Sequence, residues 1–325
     1  MLINSILYFG GGRFQLEKLS IYRTELMGIA TVMILICHAS VYGVNLTASL
    51  RQIFSLGNLG VEIFFLLSGI GISYSLNSQK SILRWYSKRY VRIGLPYLLI
   101  AIPWYVISSI LNHDGLTTFL LNVSTMNYWL YHKGAWFVAV LLPLYLISPF
   151  LNWLFQRKYS WIWLGILVGC TSLLGLVKPG GIIGNIVFAV HRLPLYFIGM
   201  YIAPFIMSKK KINLFYLVVT ALAGMFILRS INKGIGWLWP SIIVLVPLFC
   251  YLMDIFPKFR KILNVFGFIS LESYLLNICL GNLIPNFAVD FYGICRYSLI
   301  LFVGISLALI INRNIVNPAI QRIRL

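Results

Sequence analysis

Leu26-Met-Gly-Ile-Ala-Thr-Val-Met-Ile-Leu-Ile-Cys-His38-Ala-Ser-Val-Tyr42 carries no charged side chain from Leu26 to Cys37, and then a single histidine. Such a run needs a protein interior or a bilayer around it. An ionisable group at that depth is costly, so by default it marks a functional site. A second stretch repeats the pattern with an acid: Gly60-Val-Glu62-Ile-Phe-Phe65-Leu-Leu-Ser68-Gly69-Ile-Gly71. A third, Arg84-Trp-Tyr-Ser-Lys88-Arg89-Tyr-Val-Arg92-Ile-Gly-Leu-Pro96, sets a basic face ahead of the next apolar run.

The rest of the chain shares this bias. Of its 325 residues 60% are apolar and only 10% charged, with a mean hydropathy of +0.89. A soluble chain would carry about 25% charged residues, so this is a polytopic membrane protein. The balance of 26 Lys and Arg against 7 Asp and Glu gives a net charge of +19. A nucleic-acid partner would need those cations gathered on a soluble domain, and no such segment exists. Retention of positive loops on the cytoplasmic side explains the excess more simply. The five cysteines lie in or beside apolar runs without metal or redox spacing and read as packing residues. Positions 1–12 lack the charged region of a secretory signal, so 1–20 reads as an interfacial or loosely ordered tail.

Each spanning helix needs about 20 mostly apolar residues. Ten candidates meet this, at 25–44, 56–77, 93–112, 134–156, 160–178, 186–207, 212–230, 235–254, 263–284 and 294–312. With both termini cytoplasmic, the basic groups Arg84–Arg92, Lys209–Lys211 and Lys258–Lys261 all fall on the inner side. No repeat or linker divides the sequence, so an all-α bundle forming one domain over 1–325 is expected.

Each constellation has a chemical reading and a plainer one. His38 falls roughly 20 Å above Arg23 at about 1.5 Å per residue, in the outer half of the bilayer. There a neutral imidazole can accept a proton from a hydroxyl, or it can simply be hydrogen-bonded inside the bundle. Glu62 can orient His38 and stabilise its imidazolium, or be an acid kept neutral by burial. The small residues Ser68, Gly69 and Gly71 at helical spacing admit a close backbone or a thin acyl chain. Trp85, Lys88, Arg89 and Arg92 share a helical face suited to phosphates, and equally suited to lipid headgroups. The outer segment Asn112–Lys133 and Trp136 fit either a carbohydrate or an interfacial aromatic belt. Arg192 near the outer end of the sixth candidate either snorkels or meets an anionic acceptor. Glu272 and Asn277 are polar at depth and point inward. Metal-ligand spacings, a P-loop, a GxSxG elbow and a GxGxxG turn are absent.

Taken in order, these motifs resemble the acyltransferase-3 family of polytopic membrane acyltransferases, which modify bacterial surface glycans. The matching pieces are Glu25-Leu-Met-Gly-Ile-Ala…His38-Ala, Gly60-Val-Glu62-Ile-Phe-Phe-Leu-Leu-Ser68-Gly69 and Tyr86-Ser-Lys88-Arg89-Tyr-Val-Arg92-Ile-Gly-Leu-Pro96-Tyr97. Ala135-Trp136-Phe137, Arg192-Leu-Pro194-Leu-Tyr-Phe-Ile-Gly199 and Phe266-Gly-Phe-Ile-Ser270-Leu-Glu272-Ser-Tyr-Leu-Leu-Asn277 follow. The resemblance implies transfer of an acyl group, commonly acetyl from cytoplasmic acetyl-CoA, to a glycan or lipid-linked sugar hydroxyl across the membrane. It places the family's histidine on His38 and its basic cluster on Lys88, Arg89 and Arg92. Two departures stand out. The family's usual basic position eleven residues before the histidine is Met27 here, with Arg23 one turn below as a substitute. The late helix carries Asn277 where relatives often have histidine.

The leading expectation is therefore a ten-span O-acyltransferase of a bacterial inner membrane, without a metal. His38 is its base and Glu62 the orienter. Arg23, Lys88, Arg89 and Arg92 hold the donor, and Trp136, Arg192, Ser68 and Asn277 stand near the acceptor. Membrane lipid surrounds it, and a homo-oligomer is compatible with its small-residue faces. The competing classes are a transporter or flippase of a lipid-linked sugar and an inactive scaffold in glycan assembly.

Overall fold

The computed structural model describes residues 12–324, apart from 80, 178, 232–234 and 284–289. Nearly all of it is helix. We label the principal elements α1 (Arg23–Val41), α2 (Gly60–Ser78), α3 (Ile82–Asn112), α4 (Trp136–Phe155), α5 (Ser160–Leu174) and α6 (Gly181–Val190). They continue with α7 (Pro194–Met207), α8 (Leu214–Ile231), α9 (Ile242–Ile255), α10 (Pro257–Phe268), α11 (Ser270–Leu283) and α12 (Asp290–Ile311). Among the described residues seven helical segments are long and apolar enough to cross a membrane. The α10–α11 pair, bent by 65°, makes an eighth if taken as one span, and α5 and α8 are shorter apolar helices.

The bundle is organised around α2. Its apolar residues are spread over every face, and a helix of that kind belongs in the centre of a protein. Ile63, Phe65, Ile70 and Ile72 are accordingly fully enclosed. Against it α7 packs closely: a side chain at Gly69 would strike the Tyr196 carbonyl, and one at Gly199 the Leu66 carbonyl. Two glycines facing each other's backbones give a membrane interface its dispersion contacts without any hydrophobic drive. The periphery presents Leu83, Phe226 and Phe302 more than 70% exposed, as a surface solvated by lipid would.

Several expected spans differ in detail. The basic face was expected ahead of the third span, yet it forms the first turns of α3, a single helix of 31 residues. The sixth candidate breaks at His191–Leu193, because Pro194 starts α7 and lacks the amide needed to continue α6. The segment after Asn112 is not a plain loop but holds two short helices, Leu116–Val123 and Met126–Tyr131. The expected tail divides as well. Positions 1–11 lie outside the described residues, while Arg13–Gln15 forms strand β1, antiparallel to β2 (Lys211–Asn213). Phe14, Leu16 and Leu19 are buried, so this part is anchored by apolar side chains that a loose tail would leave exposed.

Candidate active site

Three arginines meet at one end of a cavity of about 270 Å³. Arg23 comes from the start of α1, and Arg89 and Arg92 from the first turns of α3. Two of them meet at Gly71 of α2. A Cβ there would lie 2.8 Å from the Arg23 Nη2, and Arg89 Nη2 donates to the Gly71 carbonyl at 3.0 Å. Arg23 Nη2 reaches the Leu67 carbonyl at 3.4 Å, but its buried Nε has no partner. Glu272 is the sole carboxylate among the lining residues, and it accepts from Asn312 Nδ2 at 2.9 Å. Lys88 lines an adjoining cleft with Trp85, Arg89 and Arg92, so the face expected from spacing forms intact. Three positive groups with one orphaned donor suit a phosphate-bearing ligand, since arginine offers forked donors to phosphate oxygens.

Away from the arginines the same cavity turns apolar. Met27, Ile34, Val61, Phe64, Phe137 and Leu141 line it, with Thr24, Ser68, Tyr145 and Tyr274 adding hydroxyls. The α10–α11 bend supplies the opposite wall through Gly267, Phe268 and Ser270. Ile34 stands four residues before His38 on α1, which is about one helical turn of rise. The apolar end of the cavity therefore stops roughly a turn beneath the histidine. Met27, at the usual basic position, faces this cavity as an apolar group, and Arg23 supplies the missing charge from the turn below.

His38 itself is half-buried. Its Nδ1 lies 2.7 Å from Asn277 Oδ1 on α11, and the Tyr42 ring meets it edge-on at 5.7 Å. The expected orienter, Glu62, is elsewhere engaged. Its carboxylate forms an ion pair with Arg192, and the guanidinium also donates to Asn58 Oδ1 at 2.8 Å. Glu62 and Arg192 are 2% and 6% exposed, so both charges are buried and each neutralises the other. This corrects the expected pairing of Glu62 with His38. Asn277, expected near the acceptor, holds the imidazole in place of Glu62, and Arg192 is spent on Glu62. Trp136 remains beside Arg192, with the guanidinium carbon 5.8 Å from the ring centre.

The sequence reading missed Tyr297 and Asn312, and saw in Gly71 only room for a backbone or an acyl chain. Tyr297 is 5% exposed and stands between Asn277 and the main chain of α1. A buried tyrosine one residue after Arg296 in an otherwise apolar run was the available signal.

A helical bundle crossing a membrane, enclosing a cavity that runs from three arginines to the foot of a half-buried histidine, defines a membrane protein with an internal, partly cationic cavity. The family described as an acyltransferase domain, acyltransferase-3, matches residues 26–313. The chain belongs to that family and is a membrane acyltransferase. Neither the curated proteins nor the solved structures contain a match.

Proposed function

We propose that the protein transfers an acyl group, most simply acetyl, from cytoplasmic acyl-CoA to a hydroxyl of a glycan or lipid-linked sugar on the outer side of a bacterial inner membrane. The observation that carries this reading is the single cavity joining Arg23, Arg89 and Arg92 to Ile34, one turn below His38. Its residues fit such a donor. The arginines, with Lys88 beside them, would take its phosphates, including on the orphaned Arg23 Nε, and the apolar stretch would take its thin acyl-bearing arm.

The donor supplies an activated thioester carbonyl. His38 supplies the base: a neutral ring nitrogen removes the acceptor hydroxyl's proton as the oxygen attacks that carbonyl carbon. When the carbon–sulfur bond breaks, the imidazolium returns the proton to the departing thiolate, so the protein ends the cycle unchanged. Water is kept out by Phe64, Phe137 and Tyr274, which line the cavity, Phe137 lying 6.0 and 6.1 Å from the other two ring centres. Hydrolysis of the thioester is thereby disfavoured.

The test is ester-linked acyl content of surface polysaccharide, released by mild base, in a deletion strain carrying wild type or His38→Ala. Wild type restores the esters, and the mutant, at equal membrane level, loses them by about 100-fold or more. Equal restoration by both would remove His38 from the chemistry. No change with either would favour transport or scaffolding instead.

A further inference from the structure

We infer that Asn277 and Tyr297 are positioning residues that fix His38 in the tautomer with Nδ1 protonated and Nε2 free to act as base. This rests on the proposed role of His38, and it adds which nitrogen does the work and what holds it so.

The argument starts from a group with no choice. The Leu35 carbonyl on α1 can only accept, and the Tyr297 hydroxyl donates to it across the α1–α12 contact. A hydroxyl has one hydrogen, so toward any other neighbour Tyr297 must accept. That neighbour is Asn277 Nδ2, at 3.3 Å. With its amide nitrogen committed to Tyr297, Asn277 presents Oδ1 to His38 at 2.7 Å. An amide oxygen accepts, so His38 Nδ1 must carry the hydrogen, and the lone pair is left on Nε2. Reversing the Asn277 amide would set its oxygen against a tyrosine oxygen whose hydrogen is already used. Two acceptors would then face each other in a buried site, at a cost far above that of a normal hydrogen bond.

The surroundings hold this chain in place. Asn277 is 2% exposed and Tyr297 5%, so water does not compete for either group. The Tyr42 ring stacks on Tyr297 at 6.3 Å and meets His38 at its edge. Arg296, next to Tyr297, donates to the Tyr42 and Gly281 carbonyls, pinning the outer ends of α1 and α11 to α12. Three helices thus converge on one direction of hydrogen bonding. Asparagine is well suited to this position, because unlike imidazole its donor and acceptor sit on one rigid plane and cannot exchange by moving a proton.

The experiment reads the tautomer directly. Protein carrying nitrogen-15 histidine, in detergent or nanodiscs, is compared with His38→Ala to assign His38 among the four histidines. Above the imidazole's titration, wild type should show a protonated, pyrrole-type Nδ1 and a bare, pyridine-type Nε2. Tyr297→Phe should populate both tautomers and lower kcat about tenfold or more, with the donor KM within about twofold. Asn277→Asp keeps an acceptor opposite Nδ1, its second oxygen taking the Tyr297 hydrogen in place of the Leu35 carbonyl, and should retain the tautomer and most of kcat, whereas Asn277→Leu should lose both. A wild-type His38 protonated on Nε2, or a Tyr297→Phe protein unchanged in tautomer and kcat, would overturn the inference. Should Tyr297→Phe not fold, an Asn277→Asp protein no better than Asn277→Leu would overturn it equally. A correct tautomer in a wild-type protein that transfers no acyl group would leave the relay standing and sink the proposed function instead.

Discussion

Glu62 and Arg192 lie 130 residues apart in the chain, and in sequence each is a lone charge in an apolar run. Nothing local pairs them, and the shorter separation from Glu62 to His38 invites the wrong partner. Burial decides the matter, because an unpaired charge at that depth is far costlier than a paired one. It also sets a test. Arg192→Leu leaves the Glu62 carboxylate buried alone and should destabilise the protein by about 3–5 kcal/mol. Glu62→Leu combined with Arg192→Leu removes both charges and should recover most of that loss. Unfolding midpoints in detergent report the difference, and a double mutant no more stable than the single one contradicts the pairing. Spacing alone carried the shared helix face of Lys88, Arg89 and Arg92 and the position of His38 along α1. The partners of Glu62, Arg192 and Asn277 depend on which helices meet, and a single sequence does not carry that.

At the scale of elements, composition made the bundle plain and its seams less so. The run Phe64–Gly71 shows small residues at helical spacing, which was read as room for a backbone or an acyl chain. The structure uses the two halves differently. Gly69 receives the backbone of α7, while Gly71 receives the guanidinium of Arg23 and the donor hydrogen of Arg89. Position 69 therefore bears on stability and position 71 on the anion site. Gly69→Ala or Gly199→Ala should cost about 1–3 kcal/mol through displaced backbone, with Gly94→Ala as a neutral control, since no atom lies within 4 Å of a Cβ there. Gly71→Ala should instead spare the unfolding midpoint and raise the donor KM, as the side chain it meets can swing aside. A Gly71→Ala protein with unaltered donor KM would detach Gly71 from donor binding. The α10–α11 bend was not legible, because the run 265–271 holds neither a proline nor a charge to mark it, whereas Pro194 after His191 and Arg192 does mark the other break.

For the whole molecule, the contacts on one face constrain the number of crossings by parity. Strand β1 pairs with β2, Lys209 bonds Glu17 at 2.9 Å, and Lys18 and Asp254 form an ion pair. Residues 13–18, 209–213 and 254 must then lie on the same side of the membrane. Between 18 and 209 stand five long apolar segments, Arg23–Val41, Ala48–Ser78, Ile82–Asn112, Trp136–Phe155 and Gly181–Met207. An odd number would end on the wrong side, so α5 must cross as well, though it has only 15 residues. Between 213 and 254 only Leu238–Ile255 is long, and α8 must supply the return. Beyond Asp254, Arg260 reaches Glu25 at the foot of α1. Asn277 then meets His38 near its top, and Asn312 comes back to the Phe268 carbonyl. We therefore predict ten crossings, with residues 13 and 320 on one face and the segment after Asn112 on the other. The excess of basic residues on the first face predicts that this face is the cytoplasmic one. In a cysteine-free background, Asp114→Cys should react with an impermeant thiol reagent in intact spheroplasts, while Arg13→Cys and Lys210→Cys should react only after permeabilisation. Labelling of Lys210→Cys from outside would mean that α5 does not cross. The β1–β2 ladder could not then form in the membrane, because its two strands would be separated by the full thickness of the bilayer.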